Sequence, residues 1–293
     1  MKTFWSYQRQ SILLFIASLT ALLLATMVIF AMVLFFGQRH ILFETNIYDD
    51  AADPRQIGMT GIKVVFISTN DGLNLASWYK PAYPGCPTLL FFHGNQGNAK
   101  QAALNLEQLM HQGFGALILE YRGYGGNPGK PSEQGLFADG RAAVTFLRTK
   151  GLPPEQVVFV AHSLGTGVAV KMAQETPPKQ LVLAAPYTSV ADVAGHNFNI
   201  RAVGYLSRDR FASIDRIGSL HVPLLLIHGE DDDIIPSLFG HKLFNAANQP
   251  KQGLFIKGAG HEDLFAKGAT DAIVDFTDPD HRCGRQNPDG AAP

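Results

Sequence analysis

Cysteine, concentrated charge and phosphate-binding motifs are all scarce in this 293-residue sequence. The only two cysteines, Cys86 and Cys283, are far apart and form no CxxC pair, so neither a metal site nor a disulfide framework is predicted, and whether they pair stays open. Lys and Arg together number 24 against 25 Asp and Glu. Without a concentrated basic surface, no nucleic-acid partner is predicted. No GK[ST] ending or GxGxxG fingerprint is found either, and no cofactor or metal is predicted.

Long apolar runs are absent from most of the chain, with one exception near its start. Residues 12–36, ILLFIASLTALLLATMVIFAMVLFF, contain no charge, proline or glycine. As a helix rising about 1.5 Å per residue, this run would cross a hydrocarbon core of about 30 Å. The GQRHILF that follows lacks the small-x-small pattern of signal peptide cleavage. We therefore predict a transmembrane signal anchor at 11–37, after a short flank at 1–10.

The charges around this run predict its orientation. Lys2 and Arg9 precede it, whereas Arg39 is soon followed by acidic residues. Positive charge favours the cytoplasmic side of a membrane helix. The remainder of the chain is therefore expected on the extracytoplasmic side.

After a predicted linker at 38–62, short β-rich runs alternate with segments of helical periodicity. The runs are nearly all apolar, as in TLLFFH, VVFVAH and PLLLIHG. Such strands must be buried on both faces, which is the condition of a parallel sheet covered by helices. We predict an α/β domain at 63–276, with helices on both faces of a mostly parallel sheet. The polar, Pro- and Gly-rich segment 277–293 is predicted to be disordered.

Reactive side chains are expected beyond the carboxyl ends of these strands, where ligands of open α/β sheets bind. Ser163 lies in AHSLG, between an apolar strand and a predicted helix. A nucleophile at such a corner needs small residues two positions before and after it, here Ala161 and Gly165. The alternative is that Ser163 only caps the helix.

Two further strand ends carry an acidic cluster and a histidine. Residues 230–233, EDDD, follow PLLLIHG, and His261 follows the strand GLFIK in a glycine-rich loop. One carboxylate of the cluster could orient the imidazole, although the residues alone do not say which. Solvated acids and a structural histidine are the alternatives.

The strand TLLFFH is followed by glycines, in HGNQGN. His93 and Gly94 lead to Asn95, whose backbone N–H could stabilise an oxyanion together with the N–H of Leu164. An ordinary glycine turn is the alternative for this loop.

These motifs together resemble the small, membrane-anchored α/β-hydrolase-domain proteins. HGNQGN, EYRGYGGNPGKPSEQG, AHSLGTG, LLLIHGEDDDIIP and GAGHED occur in that family's order, from about Phe43 to Phe276. The resemblance implies an α/β-hydrolase fold with a minimal lid, Ser163 as nucleophile, His261 as base and Asp232 as the orienting acid. His162 belongs to the same motif. Ala161 replaces a commoner glycine and Glu120 a commoner aspartate, with little consequence expected.

The expected activity is hydrolysis of an ester or thioester through an acyl-enzyme, in lysophospholipase or depalmitoylase manner. A peptidase or amidase with the same residues, and a non-catalytic binding protein on the same fold, are the alternatives. Five aromatic residues could line an acyl pocket or could instead pack the core: Tyr124, Tyr187, Phe198, Tyr205 and Phe211.

Overall fold

The apolar run near the start of the chain lies within helix α1, Lys2–Leu42. The computed structural model describes residues 2–45, 54, 58–197 and 207–285. The segment Ser11–Leu42 of α1 has a mean hydropathy of 2.7, and its apolar side chains are exposed. By length and composition it can cross a membrane, and it contains the whole of the predicted span at 11–37.

An eight-stranded sheet forms the centre of the second unit of the chain, which begins at Phe43. Its strand order is β1-β2-β4-β3-β5-β6-β7-β8, with β2 antiparallel to β1 and β4 and the other pairs parallel. The predicted mostly parallel sheet is therefore confirmed. The strands are β1 Lys63–Ser68, β2 Asn74–Lys80, β3 Thr88–Phe92, β4 Gly115–Leu119, β5 Val157–His162, β6 Gln180–Ala184, β7 Leu224–Gly229 and β8 Lys251–Ile256.

Helices cover both faces of this sheet. On one face, apolar side chains of α2, α3 and α9 pack against alternate strand residues such as Phe91 and Val160. Their neighbours along the same strands, such as Phe92 and Phe159, point to the other face, where α4 and α5 lie. The remaining helices are α2 Ala99–Asn105, α3 Glu107–His111, α4 Glu133–Thr149, α5 Leu164–Glu175, α6 Val190–Asn197, α7 Ile214–Ile217, α8 Ser237–Ala246 and α9 Thr270–Thr277.

The direction of the connections reverses beside β3. The chain passes from β3 to β4 on one side and then returns to β5 on the other. A crevice opens at such a point beyond the carboxyl ends of the strands. The loops after β3 and β5, which carry HGNQGN and Ser163, meet there.

The domain is packed beyond both predicted boundaries. Phe43 is buried and its ring meets that of Phe211 at 6.3 Å, although it falls in the predicted linker. At the other end, the predicted disorder of 277–293 is corrected for 277–285. There Asp278 accepts the backbone N–H of Cys283 at 2.9 Å, and Cys283 is buried. Linker residues 46–53 and 55–57 and tail residues 286–293 lie outside the described residues.

Cys86 and Cys283 form a disulfide, with their Cα atoms 5.4 Å apart. The bond joins the loop before β3 to the end of the described chain, 197 positions later. The sequence offered no basis for this pairing, because only folding brings the two positions together.

Candidate active site

Ser163 lies at the corner between β5 and α5 in a strained backbone conformation. Its φ is 53° and its ψ −123°, a region that residues other than glycine rarely adopt. Ser163 occupies the N-cap position of α5, but its side chain makes no capping hydrogen bond. The corner instead presents Oγ to His261.

The two small residues around Ser163 are small for different reasons. A Cβ on Gly165 would lie 2.1 Å from the carbonyl oxygen of Phe92, so α5 can approach β3 only with glycine there. Ala161 is a fully buried residue of β5, paired with Phe92 and Leu183, and its methyl group is accommodated in the sheet. The position two before Ser163 thus tolerates the alanine found there.

His261 and Asp232 complete a hydrogen-bonded chain with Ser163. The His261 Nε2 atom lies 2.8 Å from Ser163 Oγ, and Nδ1 lies 2.7 Å from Asp232 Oδ2. Because an ionised carboxylate only accepts, Nδ1 carries the proton and Nε2 is free to accept from the hydroxyl. All three residues are buried, each about 5% exposed. This arrangement can draw a proton from Ser163 and stabilise the resulting imidazolium.

Asp232 differs from its acidic neighbours in the hydrogen bonds that it accepts from the backbone. Its Oδ1 accepts the backbone N–H groups of Ile234 at 3.0 Å and Ile235 at 2.7 Å, while Asp231 and Asp233 are exposed. Burial alone would raise the pKa of Asp232, but hydrogen bonds from His228, His261 and Ile235 outweigh it and hold the pKa well below its ordinary value. Asp232 therefore stays ionised beside His261.

His162 supports the loop that carries His261. Its Nε2 donates to the backbone carbonyl of His261 at 3.1 Å, and the two ring centroids are 5.1 Å apart. Burial, together with the neighbouring His261, lowers the pKa of His162 to about 3. The ring is therefore neutral near pH 7.

The HGNQGN loop lies directly against Ser163. A Cβ on Gly94 would be 3.1 Å from the Ser163 Cβ atom, so a side chain there would require a small shift of the loop or of Ser163. Gly97 N–H donates to the Gly94 carbonyl at 3.2 Å, which closes a turn around Asn95. Leu164 is the first residue of α5, where backbone N–H groups have no partner within the helix. Asn95 lines the cleft beside Ser163, and the backbone of Leu164 follows Ser163 directly.

Glu120 and His93 were underestimated from the sequence. Glu120 follows β4 directly, is buried, and its Oε2 accepts the backbone N–H of Ala99 at 2.7 Å. Its Oε1 lies 3.1 Å from His93 Nε2, although the ring is not aligned for an ideal hydrogen bond. The His93 Nδ1 atom is 2.8 Å from the Gly94 carbonyl. Glu120 thereby contacts both ends of the HGNQGN loop. In the sequence, the feature that could have indicated this role is a charged residue placed directly after an all-apolar strand.

The YRGYG segment after β4 makes ion pairs of its own. Arg122 donates from Nε to Asp139 at 2.8 Å and from a terminal nitrogen to Asp71 at 2.6 Å. Hydrogen bonds from Arg122 hold the pKa of Asp71 at about 2. These contacts join the loop after β4 to α4 and to the turn before β2.

The aromatic residues considered for an acyl pocket divide into two groups. Tyr124, Tyr187 and Phe211 are almost fully buried, and Tyr187 donates its hydroxyl to the Leu164 carbonyl at 3.0 Å. They pack the core, as the alternative interpretation held. Phe198 and Tyr205 lie outside the described residues.

An open cleft adjoins Ser163. It lies between the HGNQGN loop, helix α2 and the residue after His261. Most of its side chains are polar. The lining includes Asn95, Gln96, Gln101, Asn105, His162 and Glu262. Within the described parts of the chain, no group of three His, Cys, Asp or Glu side chains is placed to hold a metal ion.

The fold and this arrangement define a protein of the α/β-hydrolase class, and the chain belongs to the α/β-hydrolase family. A family model described as serine aminopeptidase S33, Hydrolase_4, matches residues 86–210. The chain is 41% identical over 218 residues to the uncharacterized protein MT2364 of Mycobacterium tuberculosis, covering 72% of this chain and 78% of that protein. The resemblance predicted from the motifs is confirmed at this level.

Further relatives carry names from the same class. Human alpha/beta hydrolase domain-containing protein 17B is 34% identical over 217 residues, covering 71% of this chain and 72% of that one. Zebrafish lysophosphatidylserine lipase ABHD12 is 27% identical over 242 residues, covering 69% and 63%. A Pyrococcus furiosus esterase has a similar fold, with a TM-score of 0.61 and 18% identity over 77% of this chain and 93% of that one. The chain is thus a hydrolase of an esterase- and lipase-like family.

Proposed function

We propose that this protein is a membrane-anchored serine hydrolase that cleaves a carboxylic ester or thioester. The observation that carries the proposal is the hydrogen-bonded chain from Ser163 through His261 to Asp232 at a strained strand-to-helix corner. Acyl transfer requires an activated nucleophile, a base and an orienting acid in this order.

In the proposed mechanism, Ser163 Oγ attacks the acyl carbonyl while its proton passes to His261 Nε2. The carbonyl oxygen becomes negative and is stabilised by the backbone N–H groups of Asn95 and Leu164. The bond to the leaving group breaks as His261 returns the proton to the leaving oxygen or sulfur. Water then attacks the acyl-enzyme, with His261 again as base, and releases the acid.

The expected substrates are acyl lipids or acylated proteins. Support comes from the exposed apolar surface of α1, which suits a membrane, and from the lipase name of one relative. A membrane-bound enzyme meets acyl chains at the bilayer. The family model's description as an aminopeptidase favours amide hydrolysis as a second candidate.

A fluorophosphonate probe tests whether Ser163 is a nucleophile. We expect covalent labelling of the wild-type chain, loss of labelling in Ser163→Ala, and unchanged labelling in Ser213→Ala. Ser213 is the matched control because it is also buried and also precedes a helix, α7. Absence of labelling in the wild type would support the non-catalytic binding protein instead.

The acyl group is tested by comparing p-nitrophenyl esters of increasing chain length with aminoacyl anilides. We expect turnover of the esters and little of the anilides. A preference for the anilides would replace the esterase proposal by the amidase. Ser163→Ala corrects each rate for background hydrolysis.

The domain is proposed to lie on the extracytoplasmic side. The charges before α1 favour this orientation, and the Cys86–Cys283 disulfide supports it because such bonds persist in oxidising compartments. Protease added to sealed right-side-out vesicles should digest the domain, whereas inverted vesicles should protect it. The reverse pattern would place the domain in the cytoplasm.

A further inference from the structure

We infer that the polar cleft beside Ser163 is a subsite for the leaving group and selects one that is polar and carries no negative charge. The inference rests on the proposed ester hydrolysis and concerns the part of the substrate that departs. It would make the charge of the alcohol, as well as the acyl chain, a determinant of specificity.

The position of the cleft assigns it to the leaving group. His261 Nε2 takes the proton from Ser163 and returns it to the departing atom, so that atom must lie next to His261. Glu262, the residue after His261, lines the same cleft as Ser163 and Asn95. A leaving group protonated by His261 therefore passes along this surface.

The lining suits hydroxyl or amide groups. The side chains of Gln96, Gln101 and Asn105 each offer both donors and an acceptor. Two of these amides are oriented by hydrogen bonds: Gln101 donates to Asn105 at 3.4 Å and Gln96 donates to Glu44 at 3.0 Å. A preformed set of amides discriminates among polar groups better than an apolar wall.

The charges around the cleft disfavour an anion. Among the described residues, no Lys or Arg lines the cleft, and its one acidic lining residue is Glu262. Glu44 adds a second carboxylate through its contact with Gln96. A phosphate or carboxylate on the leaving group would lie near carboxylates of the same charge and would find no cationic side chain in this lining. Such a leaving group should therefore bind more weakly and associate more slowly.

The test compares two glycerol esters with the same hexanoyl chain, 1-hexanoylglycerol and 1-hexanoylglycerol 3-phosphate. The two esters differ only in the phosphate group. Because their acyl chains are short, both can be assayed at concentrations below those at which they form micelles. We expect kcat/KM for the neutral ester to exceed that for the phosphate ester by about tenfold or more, because like charges across an interface are repulsive. p-Nitrophenyl hexanoate serves as the reference substrate.

Charge reversal at the cleft should reverse part of this preference. Glu262→Lys is expected to raise kcat/KM for the phosphate ester several-fold. The ratio of kcat/KM between the neutral ester and the phosphate ester should therefore become smaller. Glu107→Lys is the matched control, because Glu107 is an exposed acid on α3 outside the cleft. The same narrowing in both variants would mean that net charge, rather than the cleft, sets the preference, and would overturn the inference.

Removal of the amides tests the polar contacts. Gln101→Leu should lower kcat/KM for 1-hexanoylglycerol more than for p-nitrophenyl hexanoate, whereas Gln108→Leu, an exposed amide outside the cleft, should lower neither. If the reference ester is cleaved but the two glycerol esters are cleaved equally well, the subsite is wrong while the proposed esterase stands. If the reference ester is not cleaved, the proposed function fails and the subsite fails with it.

Discussion

Gly165 and Ala161 flank Ser163 at equal sequence distance but differ in what surrounds them. A Cβ at position 165 collides with the backbone of β3, whereas the Ala161 methyl group already fits within β5. The sequence predicts that the corner requires a small residue at both positions. The structure shows that only Gly165 is required by a close backbone approach.

Gly165→Ala is therefore expected to abolish activity and to lower stability by about 2 kcal/mol or more, since a Cβ there overlaps backbone atoms. Ala161→Gly should retain activity, and its free energy of unfolding should be lower by about 1 kcal/mol, because glycine destabilises the interior of a strand. Ester hydrolysis and urea denaturation of both variants measure this. Full activity in Gly165→Ala would contradict the close approach of α5 to β3.

His162 makes stability depend on pH. Its pKa is about 3 in the folded chain and 6.5 when unperturbed. Below pH 6.5 this histidine therefore becomes protonated in the unfolded chain but stays neutral in the folded chain. The free energy of unfolding consequently falls as the pH drops toward 3. Between pH 7 and pH 5, protonation of this group alone should lower the free energy of unfolding by about 2 kcal/mol.

His162→Gln should remove that share of the pH dependence, because the glutamine amide can donate to the His261 carbonyl but does not titrate. Urea denaturation at both pH values measures it. His111→Gln is the control, since His111 is exposed on α3. An unchanged slope in His162→Gln would show that His162 is not the group responsible.

The HGNQGN loop shows how one element depends on a residue from another. Its glycines and its place after β3 were predicted, but Glu120 comes from the end of β4 and contacts both His93 and Ala99. His93 Nδ1 donates to the Gly94 carbonyl, so a glutamine at position 120 could accept the Ala99 N–H and still donate to His93 Nε2. Glu120→Leu has no polar side-chain atom and must therefore lose both contacts.

We expect Glu120→Leu to lower kcat about tenfold while KM changes less, because a displaced Asn95 N–H stabilises the oxyanion poorly. Steady-state ester hydrolysis measures both constants. Glu155→Leu, at an exposed acid before β5, is the control. An unchanged kcat would mean that the loop keeps its position without Glu120.

The strands were predicted better than the helices. Apolar runs such as VVFVAH correspond closely to β5, because a strand buried on both faces must be apolar throughout. One segment of helical periodicity lies between β3 and β4, and the structure divides it at Leu106 into α2 and α3. Leu106 is fully buried, so packing rather than local propensity sets its conformation.

At the scale of the whole molecule, the Cys86–Cys283 disulfide closes a loop of 197 positions. Closing so long a loop restricts the unfolded chain, and such bonds typically contribute about 2 to 4 kcal/mol. The double variant Cys86→Ser with Cys283→Ser should melt about 5 to 15 °C lower. Because Cys86 precedes β3 and the site follows it, ester hydrolysis at 25 °C should be retained.

Calorimetry with and without reductant checks this prediction. Reductant should lower the melting temperature of the wild type and leave the double variant unchanged. Equal melting temperatures for the oxidised wild type and the double variant would show that the bond contributes little.

The sequence by itself determined the alternation of strands and helices, the long apolar helix near the start of the chain, and the strand ends at which Ser163, His261 and an acid would lie. Periodicity and chain order are local properties, so they can be read along the chain. Tertiary structure alone decided that Cys86 meets Cys283, that Glu120 holds the HGNQGN loop, and that the cleft beside Ser163 is polar. Each depends on distances between residues remote in sequence, which only the folded sheet brings together.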